Sequence, residues 1–371
     1  TDLQLTFDSP LFGRDNYFVV GFNWFRGNGD FDGRVELSDI DPVTRSTEGL
    51  GLGTFVGDGA TSIRTRSETW SLYFLDNLAV TERLTFTFGG RYNDTDIQLR
   101  DKSGQRRELN GDHNFSRFNP TVGATFEANE AANFFASYSE SSRAPTPVEL
   151  ACNEGVFEVA RRIAIENGED PDDIEFECRL PNAFLADPPL DEVVAKGVEF
   201  GVRGAWHNIE HRVGYFRTVN HDDIIFQSTG RATGLFANVD ETKREGLEAA
   251  LAGRFSGVDW FTAYSYVEAT FESAFSALSP NHAAADANGE IQVQEGDSIP
   301  GIPRHQFKVG GDYRLPFGLA LGAELLYNSD QVLRGDESNQ LETLDGYATV
   351  NVRGSYTVTK QVELFARVTN L

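Results

Sequence analysis

Strict alternation of apolar and polar residues, repeated from one end of the chain to the other, limits what this sequence folds into more than any other feature. Residues 84 to 92 set Leu84, Phe86, Phe88 and Tyr92 against Thr85, Thr87, Gly89 and Arg91. Residues 118 to 127 set Phe118, Val122, Ala124 and Phe126 against Asn119, Thr121, Gly123 and Glu127. Further on, His305, Phe307, Val309, Tyr313 and Leu315 stand opposite Gln306, Lys308, Asp312 and Arg314. A period of two gives strands with one oily and one polar face. A soluble sandwich alternates in the same way, so the connections between strands have to decide the class.

Those connections are alternately short and long. AVTERL, EANEAAN, WHNIEH, FSGVDW, LPFG and TVTKQ take turns with long polar stretches at 38–65, 100–116, 140–194, 272–304 and 331–345. Tight turns on one side and long loops on the other are the pattern of an outer-membrane barrel. The spacing predicts fourteen strands, near 2–8, 16–26, 66–78, 83–99, 116–127, 133–140, 195–207, 211–228, 234–255, 259–271, 305–315, 318–331, 346–358 and 361–371. The segment from Leu235 to Phe255 exceeds ordinary strand length. Its second half sorts cleanly, with Leu247, Ala249, Leu251 and Phe255 on one face. The first half, GLFANVDETKRE, is charged on both faces and is placed above the membrane. Tyr92, Trp206, Tyr313 and Tyr347 are read as interfacial girdle residues.

Composition agrees with one continuous architecture across all 371 residues, since Gly, aromatic residues and charge recur at similar density throughout. Mean hydropathy is −0.36, and no apolar run is long enough for a transmembrane helix. That leaves strands free to cross, because only every second residue of a transmembrane strand is apolar. The formal net charge of −25 argues against nucleic acid as a partner. An acidic surface keeps long loops soluble or serves a dedicated cation site. The chain has no Met and opens inside an apparent strand, Leu3 to Phe7, so its natural start is expected upstream.

The ordered set LTFTFGGRYN (84–93), FSRFNPTVGATFE (115–127), NFFASYSESSRAPTPVEL (133–150), VEFGVRG (198–204), TKREGLEA (242–249), IPGIPRHQFKVGGDY (299–313) and ELFARVTNL (363–371) resembles the barrel of a TonB-dependent outer-membrane receptor. The resemblance implies an all-β fold: a transmembrane antiparallel β-barrel, here partial, with about 14 of about 22 strands. It implies one domain over 1–371, within which 141–194 is a long extracellular loop with a short helix and no separate domain. A plug domain, a TonB box and the last strand are expected to lie outside the sequence.

The implied function is a receptor in the bacterial outer membrane that binds a scarce nutrient, a ferric-siderophore-type chelate, and imports it with TonB-coupled energy. The implied partners are a small-molecule ligand, the TonB complex acting through the plug, and outer-membrane lipid and lipopolysaccharide, with the receptor a monomer. No cofactor is implied. The alternative is a passive surface barrel, an adhesin or pore, without active transport.

Within that frame RAPTP (143–147) marks where a rising strand bends into the longest loop, because Pro145 and Pro147 cannot donate ladder bonds. Cys152 and Cys178 both lie in this loop, and in an oxidising exterior they are expected to form a disulfide; two free thiols or a two-thiolate metal clamp are alternatives. EGVFEVARRIAIENG (154–168) reads as a helix with Asn153 before it and Gly168 after it. The acidic run 169–177 reads as a solvated turn or a cation lure.

No catalytic set stands out. His207 and His211 flank a turn, as a zinc pair or as exposed polar residues, and HNFSRF lacks an oxyanion motif. The expectation is therefore no enzyme and no metal site. Arg64, Arg66, Arg143, Asn238, Asp240 and Arg244 are the ligand-binding candidates, taken as inward positions above the membrane. Arg143 leads them, because a mouth-facing guanidinium suits an anionic chelate. The competing reading of each is an interior salt-bridge network.

Overall fold

The computed structural model describes every residue except 36–37, 50–55, 105–106, 152–160, 163, 167, 169, 171–189 and 229–233. Its strands are β1 (Asp2–Asp8), β2 (Asn16–Val35), β3 (Ser38–Ile40), β4 (Thr47–Gly49), β5 (Val56–Ala79), β6 (Leu84–Asp101), β7 (Gly111–Asn129), β8 (Ala132–Arg143), β9 (Val193–Trp206) and β10 (Ile209–Ser228). They continue with β11 (Gly234–Phe255), β12 (Val258–Phe271), β13 (Phe275–Leu278), β14 (Glu290–Val293), β15 (His305–Arg314), β16 (Leu319–Asn328), β17 (Tyr347–Thr359) and β18 (Val362–Val368). A short helix α1 (Pro147–Ala151) follows β8.

Fourteen strands form one antiparallel sheet in chain order, and the pairs β3/β4 and β13/β14 are small hairpins inside two of the long connections. The fourteen ladder strands match those expected from the spacing. The main difference is height: β2 and β5 run in register from Asn16↔Leu78 up to Gly33↔Thr61, well beyond the expected ends near 26 and 66. Above the membrane the outer face meets water and tolerates charge, so the Asp30–Arg64 and Asp32–Ser62 contacts carry this ribbon upward. On the opposite side the turns are tight. Ser256 and Gly257 both have positive φ (51° and 86°), as a two-residue turn between β11 and β12 requires.

Register shows which side chains share a face. Leu84, Phe126, Phe134, Val202, Val213, Ala249, Tyr264, Phe307 and Tyr327 are successive cross-strand partners, forming one apolar row from β6 to β16. Many members of this face are exposed, Phe126 at 45% and Phe134 at 48% among them, which lipid explains and water does not. The upper limit of the oily band is equally regular. Moving up six of the strands on this face, Trp24 gives way to Arg26, Trp70 to Glu68, Tyr92 to Asp94, Tyr138 to Glu140, Tyr215 to Arg217 and Tyr266 to Glu268. An aromatic belt capped by charge is what a membrane interface selects. Trp206 and Tyr313 lie on the same face near the tight turns. Tyr347 is a correction: it pairs with Asn328, which pairs with Gln306, so it sits on the polar face and outside the girdle.

Candidate functional site: the extracellular mouth

At the top of β8 the chain meets two prolines and turns at once into α1. Thr146 and Glu149 cap this helix reciprocally: Thr146 N donates to Glu149 Oε2 at 2.5 Å, and Glu149 N donates to Thr146 Oγ1 at 3.3 Å. Pro147 occupies the first helical position, where its missing N–H costs nothing. Reading Pro145 and Pro147 only as ladder breakers misses this helix, although the Thr-Pro-Val-Glu spacing carries its signal. Arg143 Nη1 donates to the same Glu149 oxygen at 2.9 Å. Of the helix expected over 154–168, residues 161–162 and 164–166 are helical and Gly168 follows at φ 77°; the rest of it, with Cys152 and Cys178, lies outside the described residues.

The base of the long loop is fastened to the polar-face side of the wall. Ile63, Ile97, Leu99, Leu109, Leu150 and Leu190 form a buried cluster, with Phe31, Phe115, Ala144, Ile224 and Phe236 packed against it. Ile97 and Leu99 share their face with Asn93, the face opposite Tyr92. Above the membrane this inner face is therefore locally apolar, because loop residues cover it. Asn238 adds polar pins: Asp191 N donates to its Oδ1 at 2.9 Å, and its Nδ2 donates to Asp222 O at 2.6 Å.

The six candidates separate by register. Asn238, Asp240 and Arg244 share the parity of Gly246 and Glu248 on the polar face. Arg143 pairs with Val193, and Asp191 just before it is held by Asn238, so Arg143 and Asn238 meet through the returning loop. Arg244 reaches Asp223 at 3.3 Å and Thr242 Oγ1 at 3.0 Å, which places it in an intramolecular network. Asp240 is exposed. Arg64 and Arg66 correct the expectation of inward positions: both share parity with Trp70 and Leu72, on the face that continues the oily band. Their partners are Asp30 for Arg64, at 2.9 Å, and Glu68 for Arg66.

The connections 272–304 and 329–346 are tied to each other. His282 Nε2 and Asp336 Oδ1 lie 3.0 Å apart with side chains 1% and 2% exposed. Asn339 binds both backbone polar groups of Ser298, accepting from its N at 2.7 Å and donating to its O at 3.0 Å. Ser279 Oγ donates to Gly335 O at 2.8 Å. Phe271, Ala277, Ile291 and Val293 supply a second apolar core beneath these contacts. This pairing leaves no local signal in the sequence, because its members stand 41 to 56 residues apart.

Electrostatics around the mouth follow from these contacts. The Arg64 hydrogen bond holds the Asp30 carboxyl below the usual range, with Lys102 assisting. Hydrogen bonds from Tyr138 and Arg117 do the same for Glu140. Burial pushes Glu192 up, and the Arg117 charge opposes that push. Among the described residues, no group of three or more His, Cys, Asp or Glu side chains is arranged to hold a metal ion.

The whole chain, residues 1–371, matches the family described as TonB dependent receptor-like, beta-barrel. The chain belongs to this family of TonB-dependent receptor β-barrels. It is similar in fold to the siderophore receptor PiuA of Acinetobacter baumannii (18% identity, TM-score 0.69), with all of this chain covering 50% of that one. The ferric-catecholate import receptor Fiu of K12 E. coli (15%, TM-score 0.67) and the copper transporter OprC (14%, TM-score 0.65) are also similar, each with all of this chain covering 49% of theirs. The chain thus spans about half the length of the solved structures it matches. No curated protein matches it in sequence. Membership places the receptor barrel in the bacterial outer membrane.

Proposed function

We propose that this receptor barrel forms the wall and mouth through which a scarce nutrient, a ferric-siderophore-type chelate, is bound and imported with energy from the TonB complex. The observation that carries the reading is the base of the longest loop. Arg143 is held there by a covered carboxylate, yet its own side chain stays 46% exposed. A fixed, half-exposed guanidinium suits recognition of an anionic chelate. Asn238, Asp240 and Arg244 share its face of the wall and complete the proposed ligand surface. Arg64 and Arg66, on the other face, belong with outer-leaflet lipid and lipopolysaccharide. PiuA, a siderophore receptor, and Fiu, a ferric-catecholate import receptor, support the cargo class, while the similar OprC is a copper transporter. Coupling to TonB runs through a plug, and the receptor acts as a monomer.

Uptake of a radiolabelled ferric chelate by cells expressing the full-length receptor, with and without TonB, tests this. Accumulation that requires TonB is expected. Entry indifferent to TonB would favour a passive pore instead.

A further inference from the structure

The ladder between β7 and β8 stops at Thr121 and Ser139. Yet β7 stays paired with β6 up to Gly111, and β8 with β9 up to Arg143. The residue of β7 just above the stop is Pro120, which has no N–H to give. Above it the two strands part, and side chains span the gap in place of backbone. Arg117 Nη2 donates to Glu140 Oε2 at 2.9 Å, and Asn119 Nδ2 donates to Ser142 Oγ at 3.1 Å.

These contacts join opposite faces of the sheet. Arg117 and Asn119 pair with Asn93 and Arg91 on the polar face. Glu140 and Ser142 continue the face of β8 that carries Phe134 and Tyr138. An inner side chain of β7 meets an outer side chain of β8 only if the upper part of β8 leans behind β7, toward the mouth. Val194 gives an independent sign of the same lean. It pairs with Ser142 on the outer face, yet it is only 7% exposed.

We propose that the upper β8–β9 hairpin, residues 140–143 and 193–196, is a leaf of the barrel wall that hinges at Pro120 and Ser139, with Arg117 as its latch. The tilt of this leaf sets the width of the mouth on the side of the long loop. Arg117 is a positioning residue here and touches no ligand. The charged and titratable groups around it are Glu140, Glu192, Lys196 and Tyr138. The latched state has its own cost, because Arg117 Nε and Asn119 Oδ1 are two of the three side-chain polar atoms buried without a partner among the described residues. Unpaired buried polar atoms oppose the arrangement that buries them. The leaf is therefore poised between leaning and standing, whereas the β6–β7 ladder and the β9–β10 ladder continue past the level at which β7 and β8 part.

Hydrogen exchange of the full-length receptor without ligand reads this directly, so its failure would leave the transport reading untouched. In Arg117→Ala, exchange of amides in 140–143 and 193–196 should rise about fivefold, the change expected from losing a partly exposed ion pair. The β6–β7 ladder and the lower halves of β9 and β10 should not change. Arg117→Lys, which keeps a cation for Glu140, should restore protection. Pro120→Val, which returns an N–H, should let the ladder zip upward and slow exchange in the same segments. If Arg117→Ala does not fold, the unmodified receptor in high salt should show the same local rise, since salt screens the latch. Exchange that is unchanged, spreads evenly through the barrel, or is not rescued by lysine would overturn the proposal.

Discussion

Arg143 and Glu149 lie 2.9 Å apart across the bend at the top of β8, and the carboxylate is the covered member, 11% exposed against 46% for the guanidinium. Glu149 serves Thr146 N as well as Arg143, so the two residues are unequal. Glu149→Ala removes both the helix cap and the ion pair and should cost about 1–2 kcal/mol locally. Arg143→Ala removes only the ion pair, worth at most about 1 kcal/mol at this exposure. Hydrogen exchange over 146–151 should therefore rise more in Glu149→Ala. Uptake should show the reverse order if the guanidinium meets the ligand, and wild-type uptake by Arg143→Ala would remove it from the site.

Leu251 and Ala250 are neighbours on opposite faces. Leu251 is 39% exposed in the row of His211 and Thr262, whereas Ala250 pairs with Arg212 and Ala263 on the polar side. An arginine facing lipid near the midplane costs about 2–4 kcal/mol, and one facing the lumen costs little. Leu251→Arg should impair assembly into the outer membrane far more than Ala250→Arg, as measured by heat-modifiable gel mobility of membrane fractions. Equal damage from both would mean that the faces are assigned wrongly.

The contrast between those two residues shows what the sequence made legible. Alternation and connection length located all fourteen ladder strands, and alternation gave the faces of β6, β7, β15 and the lower half of β11, because lipid imposes one rule on every strand. Above the membrane that rule lapses. There Arg64 and Arg66 looked inward by their charge, yet register puts them on the outer face. The same loss of constraint hid the extra height of β2 and β5, where charged and polar residues on the outer face look like loop. Tertiary contacts between distant loops, such as those of His282 and Asn238, leave no periodic trace at all.

Asp30 offers a test of the tall β2–β5 ribbon. Its carboxyl titrates below the usual aspartate range because Arg64 and Lys102 bind the ionised form. A carboxylate with a depressed folded value stabilises the fold above the ordinary value of about 3.9 and loses that contribution as pH falls through the depressed one. Exchange at residues 28–32 and 62–66 should therefore stay slow at neutral pH and quicken only below that range. Arg64→Ala should move the Asp30 titration upward, observed by carboxyl carbon NMR; an unmoved titration would show that the ion pair does not hold in solution.

Cys152 and Cys178 have 25 residues between them within the long loop. A disulfide closing that loop would contribute about 3 kcal/mol in the chain-entropy picture. The unreduced receptor should then resist a thiol probe at both positions and accept it after reduction. Full labelling before reduction would leave free thiols or a metal clamp.

A buried link between two loops predicts how they move together. His282 Nδ1 accepts from Ala284 N at 3.1 Å, so the ring proton sits on Nε2 and is donated to Asp336 Oδ1. Asp336 also accepts from Gln340 N at 2.8 Å and Leu341 N at 2.9 Å, which shapes the second loop around the same carboxylate. His282→Ala removes a buried hydrogen bond to a charged group, a loss of about 1.5–3 kcal/mol. Amides in 279–285 and 335–341 should then gain exchange together. His282→Gln, whose amide nitrogen reaches toward the same oxygen, should recover part of the protection. Loosening confined to one loop would show that the two connections fold independently and that the histidine only fills space between them.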